Sequence, residues 1–326
     1  MDSLFFFIIF LLLFFDETRN IISRQILKII FQISPILFLY EVFSILKLSI
    51  TFYSIAKLFF LIYFFIIWKP NYIPELEGLY FKFIQIKENG YGSIKIYGDL
   101  SKSNKTKVFG VFPHGPHLYS IMFLSKKFYD LSINKKIVCA PNLLKLPFAR
   151  QFLNSCFDCT TADKQVMINH LIKGENLLMY PGGVRDMFYT LEYPNKTVIN
   201  VSKITTLIQM MKNHNTNIVP IVIFNEYDHI YHSTLITKFF KYIHYNIFKS
   251  GILTPPMAKT TILGFNIYLP LACNLEPIVM AIGNEIEISK YESDFDSKQK
   301  IKNEIIRIWK NHMKEVGKTL DDLVIL

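Results

Sequence analysis

Val108-Phe109-Gly110-Val111-Phe112-Pro113-His114-Gly115-Pro116-His117 runs a short apolar segment into a histidine held between proline and glycine. Lys107 to Val111 has the composition of a buried strand. Pro113 cannot donate to a sheet ladder, and Gly115 tolerates backbone angles closed to other residues. The pattern predicts a strand that stops here and leaves His114 at its C-terminal end, just before a helix. Imidazole titrates near neutrality, so His114 can take a proton from a hydroxyl and later return it. The same residues also suit an ordinary surface turn, and the rest of the chain weighs between the two readings.

Similar apolar runs recur at Ile137 to Ala140, Leu177 to Tyr180, Ile218 to Phe224 and Pro277 to Ile282. Helical stretches separate them. Asp163 is placed to cap a helix that continues through Val166, Met167, His170 and Leu171 to a stop at Gly174. Ser202 to Lys212 and Ser297 to Lys318 read as two more helices, and His170 reads as a packed or half-exposed side chain rather than a ligand. Alternating strands and helices predict an α/β domain with a mainly parallel sheet flanked by helices. In such sheets chemistry gathers beyond the carboxyl ends of the strands.

The run Leu177 to Tyr180 ends at a second informative turn, Pro181-Gly182-Gly183-Val184-Arg185-Asp186. The amides of Gly182 and Gly183 can donate to an oxyanion or a phosphate, and Arg185 can hold an anion. Asp186 is suited to orient His114 and to stabilise its protonated form. A tight turn with a surface ion pair is the plain alternative.

Of the 326 residues, 51% are hydrophobic, and the excess lies in the first 68. Leu4 to Phe15 is shorter than the roughly 20 residues that a spanning helix needs. Ile26 to Leu46 carries Lys28, Gln32, Pro35 and Glu41, whereas Leu48 to Trp68 is interrupted only by Lys57. The last two predict a membrane-anchoring helical hairpin within residues 1–70, with a soluble domain over 71–326 beginning near Pro70 and Pro74. A hairpin packed on the protein itself is the alternative.

Net charge is +10, from 36 basic and 26 acidic residues, which favours anionic partners such as a phospholipid surface or a phosphate-bearing co-substrate. Zinc-finger spacing, an arginine-rich arm and an aromatic RNA-binding signature are all absent, so nucleic acid is not an expected partner. Cys139, Cys156, Cys159 and Cys273 make no disulfide scaffold in a chain this long. The Cys156-Phe157-Asp158-Cys159 spacing resembles half a metal site without a second half, and structural thiols are expected there.

In order, these segments resemble the type-2 diacylglycerol acyltransferase family, within the wider lysophospholipid acyltransferase superfamily, over about residues 70 to 318. Val108 to Gly115 is similar to the family's strand and His-Pro-His-Gly motif, with Phe112 in place of the first histidine. Ala140-Pro141-Asn142 through Pro147-Phe148-Ala149-Arg150 resembles the segment ending in Pro-Phe-Phe-Arg. Pro181 to Asp186 is similar to Pro-Gly-Gly-x-x-Glu, and Ile218 to Glu226 to Leu-Val-Pro-Val-Phe-Ser-Phe-Gly-Glu. Glu276-Pro277-Ile278 to Gly283-Asn284-Glu285-Ile286 resembles the last strand pair.

The resemblance implies acyl transfer from acyl-CoA to a neutral-lipid hydroxyl, monoacylglycerol or diacylglycerol, at the cytosolic face of the endoplasmic reticulum membrane. Acyl-CoA is then a co-substrate, with no metal and no tightly bound cofactor. His114 acts as general base with Asp186 or Glu226 as its acidic partner. Gly115, Gly182 and Gly183 supply oxyanion donors, and His117 stands near. Lys145, Arg150 and Arg185 are placed to meet the CoA phosphates, Arg150 best by resemblance.

Three departures from the family pattern stand, the last of which bears on substrate more than on reaction class. Phe112 replaces a histidine, Tyr119 stands where the superfamily has an aspartate, and Asn195 to Lys203 lacks the family's Arg-Lys-Gly-Phe. The alternatives are a lysophospholipid or glycerol phosphate acyltransferase, a catalytically inactive lipid-binding homologue, and a di-metal oxidase built on His114, His117, His229 and His232. A monomer and a homo-oligomer fit the sequence equally.

Overall fold

The computed structural model describes residues 94–100, 105–113, 119–141, 143–145, 149–183, 196–225, 257–262, 265–270 and 278–326, with Tyr72, Pro74, Glu77, Gly78, Phe81, Asp186 and Tyr193 as single positions. The expected N-terminal hairpin lies outside them. Among the described residues no helix is long and apolar enough to cross a membrane.

The strands are β1 (Lys95–Tyr97), β2 (Lys107–Phe112), β3 (Lys135–Cys139), β4 (Cys159–Thr161), β5 (Asn176–Met179), β6 (Thr197–Ile199), β7 (Asn217–Phe224), β8 (Met257–Ile262), β9 (Phe265–Pro270), β10 (Val279–Ile282) and β11 (Leu323–Ile325). The helices are α1 (Tyr119–Asp130), α2 (Ala149–Phe157), α3 (Lys164–Ile172), α4 (Thr205–Asn213) and α5 (Asp294–His312). Seven strands form one sheet in the order β1-β10-β7-β2-β5-β3-β4. β7, β2, β5, β3 and β4 run parallel, while β10 lies antiparallel to β7 and β1 parallel to β10. β6 pairs with β11, and β8 with β9, in two smaller ribbons.

The central strands are buried along their whole length, β2 over six residues and β7 over eight. That is why they read as continuous apolar runs rather than as alternating ones. Their side chains divide by parity between two cores. Val108, Phe112, Leu177, Ile218 and Val222 pack with residues of α3, α4 and α5, including Leu171, Ile208, Ile305 and Trp309. Phe109, Val111, Leu178, Val219 and Ile221 pack with Leu124 and Phe128 of α1 and with Leu153 and Phe157 of α2. The sheet is thus covered on both faces, the layered α/β arrangement expected from the alternating runs.

Local chemistry sets the helix ends. Asp163 caps α3 by accepting from the amides of Gln165 and Val166 at 2.9 and 3.1 Å, and Gly174 takes a left-handed φ of 75° just after it. Ser293 caps α5, whose first turn carries Asp294 and Asp296 and whose last carries Lys310 and His312. Both charge sets complement the helix dipole. Trp309 stacks on Phe224 at 4.8 Å and donates its indole N–H to the Thr319 carbonyl at 2.9 Å.

Some expected bounds shift. The segment beginning at Ser202 opens with a tight 3-10 turn, Ser202–Ile204, before α4 starts at Thr205. The C-terminal helix begins at Asp294, not Ser297, and tightens into a 3-10 turn over Met313–Val316. His170 is packed as expected, with Nε2 2.9 Å from Thr160 Oγ1 and Nδ1 2.6 Å from Glu175 Oε2. Cys139, Cys156 and Cys159 are free thiols. Burial pushes Cys156 up to about 11, with the Glu77 charge adding to the effect.

Candidate active site at the C-terminal edge of the parallel strands

β2, β5, β3 and β7 all end on one edge of the sheet, and the motifs read from the sequence follow those ends. β2 delivers Phe112 and Pro113, both buried, and the chain then enters His114. β5 delivers Tyr180 and the Pro181-Gly182-Gly183 turn, β3 leads towards α2 and Arg150, and β7 leads to Asn225.

Gly110 brings two of these segments together. A β-carbon there would stand 3.2 Å from Pro181 Cγ, 3.1 Å from Phe112 Cε2 and 3.3 Å from Ile218 Cδ1. Its absence lets the Pro181 ring close onto β2, so the diglycine turn abuts the strand that leads to His114. Within that turn the Gly183 amide donates to the Tyr180 carbonyl and the Asp186 amide to the Gly183 carbonyl, each at 3.1 Å. Gly183 sits at φ 60°, a left-handed angle that favours glycine.

Asp186 is 1% exposed. Its carboxylate fills the space a β-carbon would occupy on Gly182, so any larger residue at 182 would displace it. Burying a carboxylate this fully requires compensating polar contacts, and Asp186, Tyr180, Arg150 and Asn225 are each engaged by neighbouring groups. Arg150 is in the first turn of α2, half-buried, with its Nε inside the protein. Asn225 holds φ 65° as the chain leaves β7, a conformation that asparagine tolerates better than most side chains.

Of the residues expected in a site, Gly182, Gly183, Asp186 and Arg150 are described and lie at this edge, with Gly182 and Asp186 in contact. His114, Gly115, His117, Arg185 and Glu226 lie outside the described residues, as does the side chain of Lys145. Gly110 is not among the residues expected from the sequence, although a lone glycine inside a strand is itself a signal of close approach. Among the described residues no group of three or more His, Cys, Asp or Glu could hold a metal ion.

No protein-family model matches this chain, and no curated protein does. Among solved structures it is similar to the crystal structure of the 1-acyl-sn-glycerophosphate (LPA) acyltransferase, PlsC, from Thermotoga maritima. That likeness has a TM-score of 0.47 and 10% sequence identity, covering 90% of this chain and 97% of that one. Overlap this low carries no inference about reaction or acceptor.

Proposed function

We propose that this chain is an O-acyltransferase that moves a fatty acyl group from acyl-CoA to a hydroxyl of a glycerolipid, with His114 as general base. The observation that carries the reading is the closure of the Pro181-Gly182-Gly183 turn onto β2 at Gly110. It brings the Gly182 amide, a proposed oxyanion donor, beside the strand whose continuation is Pro113-His114, at the edge where α/β sheets bind ligands.

In the reaction, the imidazole of His114 takes the hydroxyl proton as the acceptor oxygen attacks the thioester carbonyl. The Gly182 amide donates to the oxyanion as it develops, the Gly183 amide being held by the Tyr180 carbonyl. Collapse breaks the C–S bond, the imidazolium returns its proton to the departing sulfur, and the products are the ester and free CoA. Asp186, buried against Gly182, favours the protonated imidazole. Arg150 is the side chain proposed to meet a CoA phosphate.

The acceptor class proposed from the family resemblance is monoacylglycerol or diacylglycerol. A lysophospholipid acceptor is the second reading. In that case a phosphate on the acceptor would compete with CoA for Arg150. The apolar residues 1–70 support a bilayer-bound enzyme, and the endoplasmic reticulum is the compartment that the resemblance implies.

Membranes containing the full chain, given labelled acyl-CoA and offered monoacylglycerol, diacylglycerol, fatty alcohol and lysophosphatidic acid in parallel, test this reading. An acylated glycerolipid above the level in empty membranes supports it and names the acceptor. No product with any acceptor from well-expressed protein refutes it.

A further inference from the structure

The opposite edge of the sheet, where the parallel strands begin, holds a concavity of about 460 Å³. That volume is typical of small-molecule sites. Its walls come from the end of α1, from the turn before β3, and from Tyr72, Glu77 and Asp158. It is separate from the candidate active site, which lies at the strands' C-terminal ends.

Each charged side chain in this wall is paired. Glu77 is 0% exposed and Lys135 is 5% exposed, with Lys135 Nζ 2.8 Å from Glu77 Oε1. Ser125 also donates to Glu77 at 3.0 Å, and Tyr72 donates to its other oxygen. Asp158 accepts from Lys136 on both oxygens at 2.8 Å. Neither a free anion nor a free cation finds an uncompensated partner in such a wall. What it offers is a mixture of donors and acceptors: the Ser132 hydroxyl, the Asn134 amide and the phenols of Tyr72 and Tyr129, set beside the Phe128 ring.

The helix ends fix where two of the lining residues sit. Ser132 and Asp158, at φ 53° and 49°, are two of the four non-glycine residues with left-handed φ among the described residues, and both line this cleft. Ser132 takes this angle as the residue that closes α1, its amide donating to the Tyr129 carbonyl at 3.0 Å and that of Ile133 to the Phe128 carbonyl at 2.9 Å.

We propose that the cleft binds a small neutral polyol, a ligand whose every hydroxyl both donates and accepts and whose carbon face packs on the aromatic rings. The test is equilibrium dialysis of the full chain in detergent with labelled myo-inositol and labelled glycerol, beside inorganic phosphate and choline. Saturable binding of at least one polyol is expected, unchanged by acyl-CoA. It should weaken about tenfold in Ser132→Gly, which removes a hydroxyl while easing the left-handed backbone. A second variant, Tyr129→Leu, should weaken it similarly, with the melting temperature of both variants near that of the parent. Absence of saturable polyol binding, equal binding by both variants and the parent, displacement by acyl-CoA, or preference for phosphate or choline would overturn the proposal. Acyl transfer is not the readout, so this result stands apart from that of the acyltransferase assay.

Discussion

The carboxylate of Asp186 lies against the α-carbon of Gly182, in the space where any other residue would carry its β-carbon. The two positions are therefore one unit. Gly182→Ala should push the carboxylate away and reduce acyl transfer by at least about tenfold through loss of its electrostatic contribution. Gly183→Ala meets nothing within 4 Å. Its cost is the left-handed backbone, roughly 1–2 kcal/mol of stability, with activity largely kept. Comparing both variants for acyl transfer and melting temperature checks the assignment. Equal activity loss in the two would contradict it.

The fully buried Glu77–Lys135 pair gives a second expectation. Lys135→Met leaves a carboxylate buried with its principal partner gone, which typically costs roughly 3–5 kcal/mol. Adding Glu77→Gln removes the stranded charge and should restore much of that loss. Resistance to proteolysis across the two single variants and the double variant measures the coupling, and additive losses would show that the pair does not act as one.

Much of the fold follows from local rules that a sequence displays. Asp163 and Gly174 bracket α3 because capping and left-handed termination depend on single residues. The runs at 108–111, 137–140, 177–180 and 218–224 mark strands because burial on both faces removes alternation. β1, β4, β6 and β11 are three residues each, too short to carry a period, and β4 opens at Cys159, where the spacing to Cys156 is the more visible pattern. The run at 277–282 marks a strand but not its direction, which pairing with β7 sets. In the candidate site, the turn at 181–183 is legible from its glycines. The closure of Pro181 onto Gly110 is not, because it joins residues 71 positions apart. The same holds for Glu77 and Lys135, joined across 58 positions.

Acid should weaken the α3–β5 junction. Burial raises the Glu175 carboxyl, but the His170 hydrogen bond and the Lys136, His170 and Lys173 charges outweigh it and leave it lowered in the folded protein. A lowered folded value contributes stability above the unfolded carboxyl range near about pH 4.3, and loses it as pH falls through the folded value. Thermal melts across that window should show a smaller acid loss in Glu175→Gln than in the parent. Parallel curves would contradict this.

Alkali acts on a different group. With its thiol pushed up to about 11, Cys156 should stay protonated at about pH 8 and alkylate far more slowly than an exposed thiol near about 8.5. The folded state keeps this proton after the unfolded chain has released it. The associated stability is therefore present below about pH 8.5 and lost as pH rises towards about 11. Mass-spectrometric alkylation rates at Cys156 against pH check the direction, and rapid labelling in mild alkali in the folded protein would contradict it.

The most direct measurement compares acyl transfer from labelled acyl-CoA by the full chain and by His114→Ala, at matched expression and melting temperature, using the preferred acceptor. With His114 as general base, the variant should lose roughly 10²–10⁴-fold in rate while acyl-CoA binding is retained. Transfer at the parental rate in His114→Ala would contradict the central claim.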